Sequence, residues 1–157
     1  MKANQERDVV SCNFCCLSAR TVNHAMRVMD VEQVKKCNPL ALAYYGDAVY
    51  EVLVRKKTVL NPELSAKKLH SASVEKVRAS YQAQAVKAIE HLLTEEEADI
   101  LRRGRNAHSQ VPKSASVSEY RLATGLEALF GYLALLGADE RLEELFEVIY
   151  SNDNTAN

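Results

Sequence analysis

LALAYYGDAVYEVLVR, running from Leu40 to Arg55, is the stretch that decides the fold. Leu40, Leu42, Tyr44, Tyr45, Val49, Val52 and Leu53 put apolar side chains on nearly every face of a helix. The segment therefore predicts a central buried helix from Pro39 to about Arg55 rather than a surface one. Arg55, Lys56 and Lys57 close it, where cations meet the negative end of the helix dipole. One acid, Asp47, stands inside the apolar run, and a second run of the same kind, GLEALFGYL at Gly125 to Leu133, carries Glu127. A carboxylate taken into a low-dielectric interior must be protonated, partnered by a cation or hydrogen-bond donor, or bound to a metal ion. Two such acids, far apart along the chain, invite a shared metal. The alternatives are an internally hydrogen-bonded Asp47 and an arginine-paired Glu127.

Outward from these runs the pattern stays helical. Asn61, Pro62 and Glu63 read as an N-cap, a first-turn proline and an acidic first turn, starting a short helix toward His70. Val74, Val77, Tyr81, Ala85 and Ile89 share one face of a longer helix predicted from Ser73 to Leu92. Thr94 with Glu97, and Ser116 with Glu119, have capping-box spacing. They predict helices from about Glu95 to Ala107, and from Ser116 through Leu136, with a loop containing Val111 and Pro112 between them. Gly137 stops the second, and Asp139 to Tyr150 forms the last. No β-hairpin signal and no internal repeat interrupts this all-α reading.

A chain of 157 residues suits one domain. Its apolar and charged fractions are ordinary for a soluble globular protein, and no apolar run approaches the roughly 20 residues of a membrane span. The net charge of −1 gives no global attraction to nucleic acid, so phosphate binding must come from local clustering. Such a cluster exists: between Arg102 and Arg121 the chain carries Arg102, Arg103, Arg105, Lys113 and Arg121 against Glu119 alone. Asn106 and His108 interleave it and are candidates for the sugar edge of a duplex. Arginines at a helix C-terminus are also favoured by the dipole alone. Lys67, Lys68 and His70 form a second, weaker basic group.

Cys12, Cys15, Cys16 and Cys37 follow no secretory signal, which fits free thiols in a reducing cytoplasm. Cys12 and Cys15 with Cys16 and His24 resemble half of a zinc site, but no second ligand pair follows at the required spacing. Residues 1–28 read instead as a weakly ordered leader, residues 29–151 as the domain and 152–157 as a tail. Met26 and Met29 are candidate translation starts.

The stretches GDAV at Gly46 to Val49 and EALFG at Glu127 to Gly131 resemble the two signature segments of the ribonuclease III catalytic domain, in the same order. The likeness extends over about Asn38 to Glu147, through LALAYYGDAVYEVLVR, TEEEADILRRGRNAHS (Thr94 to Ser109) and YRLATGLEALFGYLALLG (Tyr120 to Gly137). It is nearer to Mini-ribonuclease III, the branch without a double-stranded RNA-binding domain, and the chain ends where that domain would start. The chain departs from the wider family where other acids are usual: Leu40, Ala43 and Thr124 stand there, leaving Asp47 and Glu127.

The resemblance implies an all-α ribonuclease III-like endonuclease domain, paired as a two-fold homodimer with one site per subunit. It implies metal-dependent hydrolysis of double-stranded RNA, with water attacking phosphorus in line and the 3′-oxygen leaving. The expected task is maturation of the large-subunit (23S) ribosomal RNA precursor, with a ribosomal protein as a further candidate partner and no membrane. Asp47 and Glu127 would hold Mg2+, or Mn2+ in its place; magnesium commonly takes only one or two protein carboxylates and keeps several waters. Glu51, one turn beyond Asp47, and Thr124, one turn before Glu127, are candidates for the ion's outer shell. Arg102, Arg103, Arg105, Asn106, His108, Lys113 and Arg121 are the candidate RNA contacts. The rival readings are a non-catalytic helical module that binds structured RNA or the ribosome, and a protein-interaction bundle with no RNA role.

Overall fold

A computed structural model describes residues 29–107 and 116–154. Among these residues there are only helices and turns, and no helix is long and apolar enough to cross a membrane. The order is α1 (Val31–Lys35), α2 (Pro39–Thr58), α3 (Ala66–Lys76), α4 (Ala79–Ile89), a 3₁₀ turn (Glu90–Leu92), α5 (Glu95–Asn106), α6 (Val117–Leu136) and α7 (Asp139–Asn154). The all-α expectation holds. The leader with Cys12, Cys15, Cys16 and His24 lies outside the described residues, as do His108, Lys113 and the Val111–Pro112 loop.

The central helix is α6 rather than α2. From Ala123 to Ala134 every residue of α6 except Glu127 is buried, with α2, α4, α5 and α7 packed around it. The other apolar helix, α2, buries Leu42, Ala43, Tyr50 and Val54 but leaves Tyr44 and Val52 86% and 63% exposed. The face with Tyr44 and Val52 is left exposed among the described residues. Asn38 caps α2 by accepting from the Leu40 N–H at 2.9 Å, with Pro39 in the first turn where no donor is missed. Edge-to-face contacts of Tyr50 with Phe130 (5.3 Å) and Phe146 (5.7 Å) join α2 to α6 and α7.

Two glycines set how closely α2 and α6 approach. A Cβ on Gly46 would lie 1.7 Å from the Glu127 carbonyl oxygen, and one on Gly131 would lie 2.1 Å from the Leu42 carbonyl oxygen. The two backbones touch, a proximity only residues without side chains permit. A second tight crossing, of α5 on α6, leaves a Cβ on Gly104 only 2.7 Å from that of Ala128.

Local signals placed the other boundaries unevenly. Thr94 and Glu97 form the full capping box: Glu97 N–H donates to Thr94 Oγ1 at 3.2 Å and Thr94 N–H to Glu97 Oε2 at 2.9 Å. Ser116 sits at the N-cap of α6, but its side chain makes no cap bond, so the second expected box is absent. Asn61 does not start a helix. Its side chain accepts from Glu63 N–H in a local turn, and Ser65 caps α3 instead. The helix expected from Ser73 to Leu92 is two helices, broken where Arg78 takes an extended ψ of 146° between α3 and α4. Gly137, at φ 70°, ends α6 as expected. The last helix runs past Tyr150 to Asn154, into the expected tail.

Gly46→Ala tests the α2–α6 crossing, because helix propensity and packing predict opposite signs. Propensity alone favours alanine by about 1 kcal/mol. The clash should instead destabilise the fold by about 3 kcal/mol in urea unfolding. A stabilised variant would contradict the crossing.

Candidate active site

The glycine crossing has a direct chemical result. Asp47 follows Gly46 on α2, and Gly46 lies against the backbone of Glu127 on α6. The two acids singled out in the sequence are thus brought within electrostatic reach of each other beside this crossing. Asp47 is exposed rather than interior, while Glu127 is partly buried. Burial first, and the negative charge of Glu51 second, push the Asp47 carboxyl above its ordinary range. Burial first, and the charge of Asp47 second, push Glu127 up to about 7, against a lowering hydrogen bond from Gln82. The asymmetry has a physical cause. Asp47 is the more exposed of the two, so burial weighs more heavily on Glu127.

Among the described residues no lysine or arginine pairs with either acid, and no group of three or more His, Cys, Asp or Glu side chains could by itself hold a metal ion. The donor set is a pair of hard carboxylates without a neutralising cation. Such a pair fits a largely hydrated divalent ion that takes one or two protein oxygens, and does not fit a closed zinc-type site.

The outer-shell candidates divide. Glu51 is close enough to Asp47 to raise its pKa, yet its carboxylate is also engaged by Arg55, with Nε donating at 3.0 Å. Thr124 is buried and donates its hydroxyl proton to the Tyr120 carbonyl at 2.9 Å, the usual back-bond of a helical threonine. Only its lone pairs remain for a metal-bound water. The acids of TEEEADILRRGR serve the scaffold. Glu97 bonds Arg141 Nε at 3.0 Å as well as Thr94, and Glu96 accepts from Tyr132 at 2.8 Å and pairs with Lys35 at 2.6 Å.

The basic cluster also divides. Arg103 turns inward and donates to the Cys37 carbonyl at 3.2 Å, tying α5 to the turn before α2, and Arg102 pairs with Asp99 on its own helix. Arg105, Asn106 and Arg121 are exposed and line one open groove between the end of α5 and the start of α6, with Val117, Ser118 and Leu122. A residue that sequence reading passed over is Gln82, wholly buried on α4 against Glu127. The available signal was its spacing with Val86 and Ile89, which puts an amide on the apolar stripe of its helix.

Residues 40–137 match the model of the ribonuclease III domain family. Mini-ribonuclease 3 of a Thermoanaerobacter species is 48% identical over 118 residues, covering 74% of this chain and 83% of that protein. Mini-ribonuclease 3 of Clostridium tetani is 42% identical over 120 residues, covering 75% and 80%. An X-ray crystal structure of a protein from Fusobacterium nucleatum superposes with a TM-score of 0.68 at 33% identity, covering 73% of this chain and 94% of that one. The chain belongs to the ribonuclease III domain family. Within that family it groups with the Mini-ribonuclease III branch, and it is an endoribonuclease.

The raised pKa of Glu127 makes stability depend on pH. An acid whose folded pKa lies above its unfolded one binds its proton more tightly when folded. Its stabilising contribution is complete below the unfolded value of 4.5 and is lost as pH rises toward about 7. In the absence of divalent cations, melting of the protein should lose roughly 3 kcal/mol of stability across this window. Glu127→Gln should flatten the slope, as followed by calorimetry in EDTA.

Proposed function

We propose that this endoribonuclease cleaves double-stranded RNA by metal-assisted hydrolysis, acting in the cytoplasm as a homodimer, with the 23S ribosomal RNA precursor as its substrate. One observation carries the reading: Asp47 and Glu127, from distant parts of the sequence, lie within electrostatic reach of each other beside the Gly46 crossing, without a neutralising side chain among the described residues. Family membership and the relatives' shared name support it.

When bound, Mg2+ or Mn2+ would supply an acidified water and screen charge on the phosphate. Asp47 and Glu127 would hold it. Burial of Glu127 keeps its carboxylate fixed between α2, α4 and α6, while the open side of Asp47 leaves room for a phosphodiester to approach. Glu51, tethered by Arg55, adds negative charge beside Asp47 and so favours a divalent cation there. Arg105 and Arg121 would take backbone phosphates in the groove they line with Asn106, recognising duplex shape rather than sequence.

The dimer is supported by the uncovered face of α2. Ala41, Tyr44, Ala48 and Val52 form an exposed stripe at helical spacing, and Val59 and Leu60 continue it at 62% and 72% exposure. Apolar area of this kind marks an interface. Asp47 borders the stripe, so an isologous pairing would set two sites near one axis, the arrangement that cutting both strands of a duplex requires.

Asp47→Asn and Glu127→Gln should each lower Mg2+-dependent cleavage of a long RNA duplex by more than about a hundredfold while the duplex is still bound. Binding without cleavage by the unmodified protein would favour the non-catalytic module instead. Arg105→Ala and Arg121→Ala should each weaken duplex binding and reduce its salt slope by about one. Val52→Glu should convert the dimer to monomer in sedimentation, and unchanged sedimentation would remove this stripe from the interface.

A further inference from the structure

A primary amide buried at 0% exposure has two donors and an acceptor to satisfy. Gln82 meets that demand only in part. Its Nε2 donates to the Val77 carbonyl at 3.3 Å, at the break between α3 and α4, and the same side chain hydrogen-bonds Glu127. Its Oε1 is buried with no hydrogen-bond partner among the described residues. The neighbouring core positions of α4 are Ala83, Ala85, Val86 and Ile89, so a methionine or leucine at position 82 would fill the volume without an orphaned oxygen. An unmatched buried acceptor beside a paired set of carboxylates is where a cation's water shell would supply the missing donor.

We propose that Gln82 is a positioning residue of the metal site: its amide fixes the orientation of the Glu127 carboxylate toward Asp47, and its Oε1 accepts from a water on the bound cation. This rests on the two-carboxylate reading above and extends it to a third, uncharged side chain. It also accounts for how a site with Leu40, Ala43 and Thr124 in place of further acids gains another oxygen without adding negative charge. The break between α3 and α4 is then part of the site. The Val77 carbonyl, at the C-cap of α3, accepts from the amide there.

The test compares the full chain with Gln82→Met, Glu127→Gln and the double variant. Each is measured for Mn2+ affinity without RNA, by the paramagnetic resonance of free Mn2+, and for kcat and KM on an RNA duplex. Gln82→Met is expected to weaken Mn2+ binding and lower kcat by about 10- to 100-fold. KM should stay within about threefold and the melting temperature should change little, because the lost bond to the Val77 carbonyl is offset by removal of the unmatched oxygen. In the Glu127→Gln background the same change should weaken Mn2+ binding no further. Parent-like Mn2+ affinity and kcat in Gln82→Met overturn the proposal, as do additive losses in the double variant. If Gln82→Met does not fold, Gln82→Asn, which withdraws the amide by one methylene, takes its place with the same expected losses, and parent-like values there overturn it equally. Parent-like Mn2+ binding by Glu127→Gln overturns the carboxylate site itself and this proposal with it, an outcome recognised without any Gln82 variant.

Discussion

The contact between the backbones of α2 and α6 is the constraint on which the rest of the structure depends. With Gly46 against the Glu127 carbonyl and Gly131 against that of Leu42, neither helix can move outward by even a methyl group without opening the core. Interiors are packed too densely to absorb such a change continuously. The same crossing fixes the distance between two acids that the polypeptide carries far apart. Packing and chemistry are therefore set by one feature, and a substitution that loosens it disturbs both.

That arrangement has an energetic consequence. An acid enclosed by α2, α4 and α6, beside a second acid, opposes folding whenever both are ionised. The scaffold elsewhere does the reverse with its acids. Glu97 is as buried as the core around it, but the Arg141 guanidinium and the Thr94 cap outweigh the burial that would raise its pKa, and hold it below the usual range. Arg141 also donates to the Leu92 carbonyl at 2.7 Å, so one guanidinium fastens α7 to the entrance of α5. The contrast separates acids that are paired within the scaffold from two acids that have no cationic partner among the described residues.

Much of this was legible in the residues. Thr94 and Glu97 announce their capping box because both partners lie within one turn, and the apolar run from Pro39 marks α2. Asp47 and Glu127 stand out because a charge in an apolar run has few bland explanations. The break at Val77–Arg78 was not legible: Ser73 to Leu92 has unbroken helical periodicity, and the interruption is stabilised by Gln82 and by packing on α6. Nor was the division of the arginines, since Arg103 and Arg105 read alike in sequence while one reaches Cys37 and the other lines the groove.

The sequence by itself determined the helical class, the family, and the identity of two acids, because periodicity, caps and short motifs are properties of neighbouring residues. Only the tertiary structure decided that α6 rather than α2 is the central helix, that one apolar face of α2 is left exposed among the described residues, and that Gln82 is buried beside Glu127. Those outcomes depend on which helix faces are covered by segments distant in the chain, and coverage is a property of the packed assembly of helices that no local pattern carries.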